Sequence, residues 1–470
     1  MTTITTGKIS GQTSDDVTSF LGIPYAEPPF GPNRFAAPVP KAPWEGTFEA
    51  VRFGPAPPQV AMMAGLARWS SADGLDCLSV NVWTPDPGGS GLPVMVWIYG
   101  GGYVIGAAGL PDYDGTRLAR EGVVVVTFNH RIGMEGYGFV EGAPANRALL
   151  DQVQALRWVR ENIAAFGGDP GNVTVFGQSA GAGAAACLMA MPSAAGLFRR
   201  VIAQSVPGTF FTPGLAARIS AGIMARAGGS PYERSPEELL TAAHDFAQLD
   251  LRGNTARWGA VAVVGMAFSP VVDGEVLPQT PWEALTDGAA CDVDLLVGFT
   301  RDEYALFQAM GESGDTGTAM KTLAPPQADV VYRTAYPEAE LRLRLMSDWL
   351  FRMPSAVLAG AHTGPTHAYE LTWAPTPLGA CHGLDVPLTF GTLGTELAGL
   401  LIGGSPEAEG VSAQFRSAWT RFAATGEPGW PEYEPVNAVT HLFDVTPSDV
   451  GDPESATRAL WTEAGFPAMS

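Results

Sequence analysis

The chain has 470 residues, 46% hydrophobic and 16% charged, a balance that supports a large packed core and excludes intrinsic disorder. It carries 48 acidic against 27 basic side chains, a formal net charge of -21. That excess is repelled by phosphate backbones and anionic lipid, so no nucleic acid and no membrane partner is expected, and the charge reads as a source of solubility.

The opening stretch MTTITTGKISGQ lacks the apolar region of a secretory signal, and no apolar run reaches the roughly 18–20 residues of a membrane span. A cytoplasmic location is the expectation. The first third reads as short strands and turns. PVMVWIYGG (93–101) is an apolar strand running into glycines. VVVVTFN (123–129) is a continuous β-branched run, as in strands buried on both faces. Residues 147–166 place Leu149, Val153, Leu156, Val159 and Ile163 at helical steps, with Gly167-Gly168 as a stop. NVTVFG (172–177) predicts a strand, GAGAAACLMAM a helix of small residues, and RVIAQS (200–205) the next strand.

This alternation predicts an α/β fold, with a mostly parallel central sheet and helices on both faces. VDLLVGF (293–299), HAYELTW (367–373) and HLFDV (441–445) predict later strands. The stretches 206–265 and 305–365 read as helical or loop-like and are expected to form cap insertions over one edge of the sheet. No repeat, linker or domain boundary is visible, so 1–470 reads as a single domain.

GQSAG (177–181) fits G-x-S-x-G between a strand and a helix. The glycines answer crowding: Ser179 must sit on a very tight turn, and a side chain at Gly177 or Gly181 would strike the neighbouring strand or helix. The following helix aims its N-terminal dipole at the site. A serine nucleophile also needs oxyanion donors. YGGGY (99–103) ends a buried strand upstream, so the N–H groups of Gly101 and Gly102, with that of Ala180, are the candidates. The base and its acid should follow in the order serine, acid, histidine. His130 and His244 come too early, which leaves His362, His367, His382 and His441; His367 and His441 fall in strand-like runs. His382 lies in the loop GACHGLDVPLTFG, where a movable base belongs. VDLLVGFTRDE places Asp302 and Glu303 just past a strand, and spacing alone does not choose between them. Cys77, Cys187, Cys291 and Cys381 are far apart, show no metal-type spacing and read as free thiols.

With these motifs in place, the chain resembles the type-B carboxylesterase family, the cholinesterase-like branch of the α/β-hydrolase fold. FLGIPYAEPPFGPNRF (20–35), DCLSVNVWTP (76–85), PVMVWIYGGGY (93–103), residues 148–182, FSPVVDGEVLP (268–278), GFTRDE (298–303) and CHGLDVPLTFG (381–391) look like its signature blocks, in family order. Its bacterial para-nitrobenzyl esterases look most similar. The resemblance implies Glu303 as the acid, with Asp302 a neighbour, and supports His382 as base. It implies that Asp385 is structural, that Arg131 and Asp151 form a buried ion pair, and that Ser205 stands behind the site as a hydrogen-bonding residue.

Three departures bear on function. Pro57 stands where the family often has the disulfide partner of Cys77. Leu75 replaces the acidic residue that usually pairs with Arg34. Gln178 precedes the nucleophile where the family often has Glu, so one negative charge is missing and cationic choline esters are not expected. Trp69 has the wrong spacing for a choline-binding tryptophan.

The implied activity is hydrolysis of small carboxylic esters by a Ser179–His382–Glu303 triad, with no metal or cofactor required. Tyr103, Gln178 and Phe268 are candidates for the pocket wall. An acyltransferase or cyclase would use the same triad, and a non-catalytic scaffold is the alternative from another class. The oligomeric state, monomer or dimer, is left open by the sequence.

Overall fold

The computed structural model describes residues 1–60, 69–312 and 314–470. At its centre is a sheet of eleven strands. They are β1 (Gln12–Ser14), β2 (Val17–Pro24), β3 (Ser79–Thr84), β4 (Leu92–Ile98), β5 (Val124–Phe128), β6 (Gly168–Gln178), β7 (Arg200–Gln204), β8 (Asp294–Thr300), β9 (Thr366–Leu371), β10 (Val439–Phe443) and β11 (Ser448–Gly451). Their order in space is β1-β2-β3-β5-β4-β6-β7-β8-β9-β10-β11. From β5 to β10 the pairing is parallel throughout. Antiparallel strands close both edges.

The parallel strands were the legible ones because they are buried on both faces. All five residues of β5 are buried, as are Val94–Ile98 of β4. Alternate residues of β4 serve opposite cores: Val94, Val96 and Ile98 join one cluster, Met95, Trp97 and Tyr99 the other. Helix α1 (Arg147–Asn162) buries Leu149, Val153, Leu156 and Val159 on the first face. The predicted helix runs on as a 3₁₀ turn, Ile163–Phe166, and stops at Gly167, whose φ of +86° suits glycine. Helix α2 (Ala180–Ala190) is buried along its whole length. Helix α3 (Ala408–Thr425) sets Phe415, Trp419 and Phe422 into the second core.

The antiparallel edges were harder to read. In β2 the register shifts between Phe20 and Ile23, so its burial does not alternate cleanly. The two stretches expected to be caps contain helices Pro213–Ala227, Pro236–Phe246, Thr316–Leu323, Ala328–Ala335, Leu341–Ser347 and Met353–Ala361. Thr212 and Ser235 cap the first two, each followed by proline. Among the described residues no helix is long and apolar enough to cross a membrane.

Strands β5 and β6 lie on opposite sides of β4. The chains leaving the carboxyl ends of β4 and β6 therefore diverge and leave a crevice, the usual ligand position in such sheets. YGGGY leaves β4 there, and Ser179 leaves β6.

Candidate active site

Ser179 sits between the last residue of β6 and the first of α2, with φ +58° and ψ −126°. A non-glycine side chain rarely adopts that backbone, which stores strain where the hydroxyl must project. The turn is held by the Ser179 N–H donating to the Gln204 carbonyl (2.8 Å) and the Gly183 N–H donating to the Ser179 carbonyl (2.9 Å). The two glycines are required by space. A Cβ on Gly177 would stand 2.6 Å from the Gly181 carbonyl group, and one on Gly181 would stand 2.0 Å from the Ile98 oxygen.

The YGGGY segment leans directly on this turn. A Cβ on Gly100 would lie 2.8 Å from the Gln178 carbonyl oxygen and 3.1 Å from Ser179 Cβ. Gly101 (φ +119°) and Gly102 (φ +58°) turn the chain back, and the Gly101 carbonyl accepts from the N–H groups of Val104 and Ile105, both at 3.1 Å. The Gly101 and Gly102 N–H groups have no hydrogen-bond partner among the described residues. Ala180 is the first residue of α2, so its N–H is one of the unpaired donors of a helix start. Gly101, Gly102 and Ala180 line the same cavity as Ser179.

His382 lies in the loop between β9 and the short helix Asp385–Phe390. Its Nδ1 donates to Glu303 Oε2 at 2.5 Å. Glu303 is fully buried, three residues past the end of β8, and its other oxygen accepts from Ser205 Oγ (2.6 Å) and the Thr300 N–H (2.9 Å). The imidazole stacks on one cap aromatic, Phe351 (ring centroids 4.1 Å apart), and meets a second, Phe307, at 5.2 Å; these two phenylalanines also pack on each other. With Nδ1 carrying the proton, Nε2 presents its lone pair. That lone pair accepts from the Gln178 side-chain amide at 3.2 Å, and no hydrogen bond joins it to Ser179 Oγ. Gln178 was expected as an uncharged wall residue; here it also hydrogen-bonds His382.

Asp302 points elsewhere. It pairs with Arg301 (2.8 Å) and Arg344 (3.3 Å) and accepts from the Ala380 N–H (3.1 Å). Burial pushes its carboxyl up, but the Arg301 bonds and these other partners outweigh that and hold it below the usual range. Asp385 accepts from Gln204 (2.9 Å) and Tyr369 (3.2 Å), and burial pushes its carboxyl up to about 6. Arg131 and Asp151 form the buried ion pair at 2.7 Å. Arg34, deprived of its usual family partner, pairs instead with Glu135 at 2.6 Å. Three of the other histidines pack as structural groups: His130 stacks on Tyr99, His441 on Trp430, and His362 bonds Thr366 Oγ1, whereas His244 lines the cavity described next. Cys77 is a free, buried thiol.

Ser179, Gln178, Ala180, Gly100–Gly102 and His382 line one cavity of about 1110 Å³. Tyr103 and Phe268 line it as expected, and the cap stretches add Leu239, Leu240, Phe307, Met310 and Phe351. Among the described residues the charged groups on this wall are matched: Glu135 by Arg34, and Arg252 by Glu312. Thr300, Phe307 and Phe351 were not foreseen, because no side-chain chemistry marks the Thr300 N–H as a donor to Glu303, and nothing local marks an aromatic as a partner of a histidine tens of positions away.

A parallel sheet with a strained serine between strand and helix, at the switch point of its strand order, defines an α/β-hydrolase fold. The chain belongs to the carboxylesterase family, whose model matches residues 1–339. It is 39% identical to the para-nitrobenzyl esterase of Bacillus subtilis (strain 168), with 96% of each chain covered. It is 30% identical to the acetylcholinesterase of Bungarus fasciatus, over 89% of this chain and 77% of that one. Among solved structures it superposes on a PNB esterase with a TM-score of 0.89 at 35% identity, covering 98% of this chain and 99% of that one. On the Geobacillus stearothermophilus carboxylesterase EST55 the TM-score is 0.86 at 33% identity, with 98% and 99% covered. The protein is a carboxylic-ester hydrolase.

Proposed function

We propose that the protein hydrolyses small, uncharged carboxylic esters through an acyl-enzyme on Ser179. The observation that carries this reading is the unbroken line from Ser205 and Thr300 through Glu303 to His382, which opens with Ser179 and three unpaired N–H groups into one cavity. Ser179 Oγ attacks the acyl carbon while His382 Nε2 takes its proton. Glu303 keeps that proton-accepting nitrogen facing the serine and stabilises the imidazolium. The N–H groups of Gly101, Gly102 and Ala180 receive the oxyanion, each such donor being worth about 2.7–4 kcal/mol in comparable sites. His382 then protonates the leaving alcohol, and water, activated by the same nitrogen, releases the acid.

For His382 to reach Ser179, its lone pair must exchange the Gln178 amide for the serine hydroxyl, an adjustment common when catalytic hydrogen bonds tighten on substrate binding. The matched charges on the cavity wall and the uncharged Gln178 support a preference for neutral substrates. The free cysteines support a reducing, cytoplasmic setting. Ser179→Ala should lower kcat by about 10³-fold or more in a steady-state assay with an aryl ester; turnover within tenfold of wild type would overturn the assignment.

A further inference from the structure

At the opposite end of the sheet from Ser179, a second polar cluster is unused by the ester chemistry. His367 is the second residue of β9, and its ring is enclosed edge-on by Phe422 and Trp430. Its Nδ1 donates to the Pro431 carbonyl at 3.3 Å, which leaves the lone pair on Nε2. That Nε2 is buried and has no hydrogen-bond partner among the described residues. It faces two carboxylates: Glu427 Oε2 lies 3.9 Å away, and one ligand atom from each of His367, Glu427 and Glu432 falls within 4.8 Å of the others. Burial holds the imidazole below its usual pKa, with Pro431 and the two glutamates opposing, so the nitrogen is available as a neutral ligand.

A histidine whose second nitrogen is pinned to a backbone carbonyl is the orientation that metal-ligating histidines adopt. Both glutamates leave the same short segment between α3 and β10, and that segment is already fixed to β9. The Trp430 indole donates to the Ala368 carbonyl (3.0 Å), and the Tyr433 N–H donates to the Thr366 carbonyl (2.7 Å). A tetrahedral sphere with bonds of about 2.1 Å needs ligand atoms roughly 3.4 Å apart. The two carboxylates are exposed, so a change of rotamer closes the remaining gap.

We propose that His367, Glu427 and Glu432 form a structural site for a borderline divalent cation, zinc foremost, that ties the 426–434 segment to the central sheet. One nitrogen and two carboxylate oxygens suit zinc, and water completes the coordination. Magnesium, which prefers an all-oxygen octahedron, is expected to bind far more weakly.

The test uses the untagged, EDTA-treated full chain. Isothermal titration with Zn²⁺ should show one site that Mg²⁺ does not fill, and Zn²⁺ at tenfold over Kd should raise the melting temperature. Glu427→Gln and Glu432→Gln replace exposed side chains and keep the fold; each should weaken Zn²⁺ binding at least tenfold, while esterase kcat in the absence of metal stays unchanged. Co²⁺ should show a d–d absorbance that both variants lose. Zn²⁺ binding of equal strength in the double glutamine variant, or no binding below 1 mM, would overturn the proposal.

Discussion

Gln178 occupies the position from which one negative charge would act on both the base and the substrate. It donates an uncharged amide to His382 Nε2 instead. Gln178→Glu should raise kcat/KM for a choline ester relative to its neutral carbon isostere by about tenfold, or about 1.4 kcal/mol, since a carboxylate near a partly desolvated cation is strongly attractive. An unchanged ratio would show that this position does not set charge preference. Behind the base, Ser205 supplies a hydroxyl donor at 2.6 Å to a fully buried carboxylate. A hydrogen bond to a charged group contributes about 1.5–3 kcal/mol. Ser205→Ala should therefore reduce kcat about tenfold or more with little change in KM, because Ser205 acts through Glu303 and does not meet the substrate. A rise in KM at constant kcat would refute that role.

At the scale of elements, the short helix Asp385–Phe390 follows directly on the His382 loop and begins with a buried carboxyl. Burial raises the Asp385 value from 3.8 to about 6 in the folded chain, with Glu303 adding to it and Gln204 opposing. The folded state thus binds this proton more tightly than the unfolded state does. Its stabilising effect is fully present below about pH 4, is lost as pH rises through 6, and changes no further above that. The two values bound the effect at roughly 3 kcal/mol. Asp385→Asn should flatten that part of the pH dependence when unfolding is followed by denaturant between pH 4 and 7; superimposable profiles for the two proteins would contradict it. The elements themselves were unequally legible. β4 and β5 show as uninterrupted apolar or β-branched runs because both faces are covered. β2, one strand in from the edge, is irregular, and the edge strand β11 is mostly exposed, so both leave little pattern to read.

Across the whole molecule, the serine turn, the YGGGY loop and the choice of His382 could be read from order and local chemistry alone. The choice of Glu303 over Asp302 could not: both follow β8, the family resemblance alone pointed to Glu303, and the fold sets that carboxylate against the imidazole and Asp302 among arginines. The same limit hid the Arg34–Glu135 pair, the contact of Gln178 with His382 across 204 positions, and the aromatic cluster that Phe307 and Phe351 form with His382. Each depends on long-range closure that no sequence window contains. The matched charges of the 1110 Å³ cavity are likewise a property of the assembled chain. They predict that neutral aryl esters outperform anionic ones of equal size in a substrate panel, and equal rates would argue against this.

The most direct test of the central claim is peptide mass spectrometry after reaction with a fluorophosphonate, run beside the esterase assay. One phosphonyl adduct should form, on the peptide carrying Ser179, with activity falling in proportion and both effects absent from Ser179→Ala. An adduct on another residue, or full activity with Ser179 completely modified, would contradict the account.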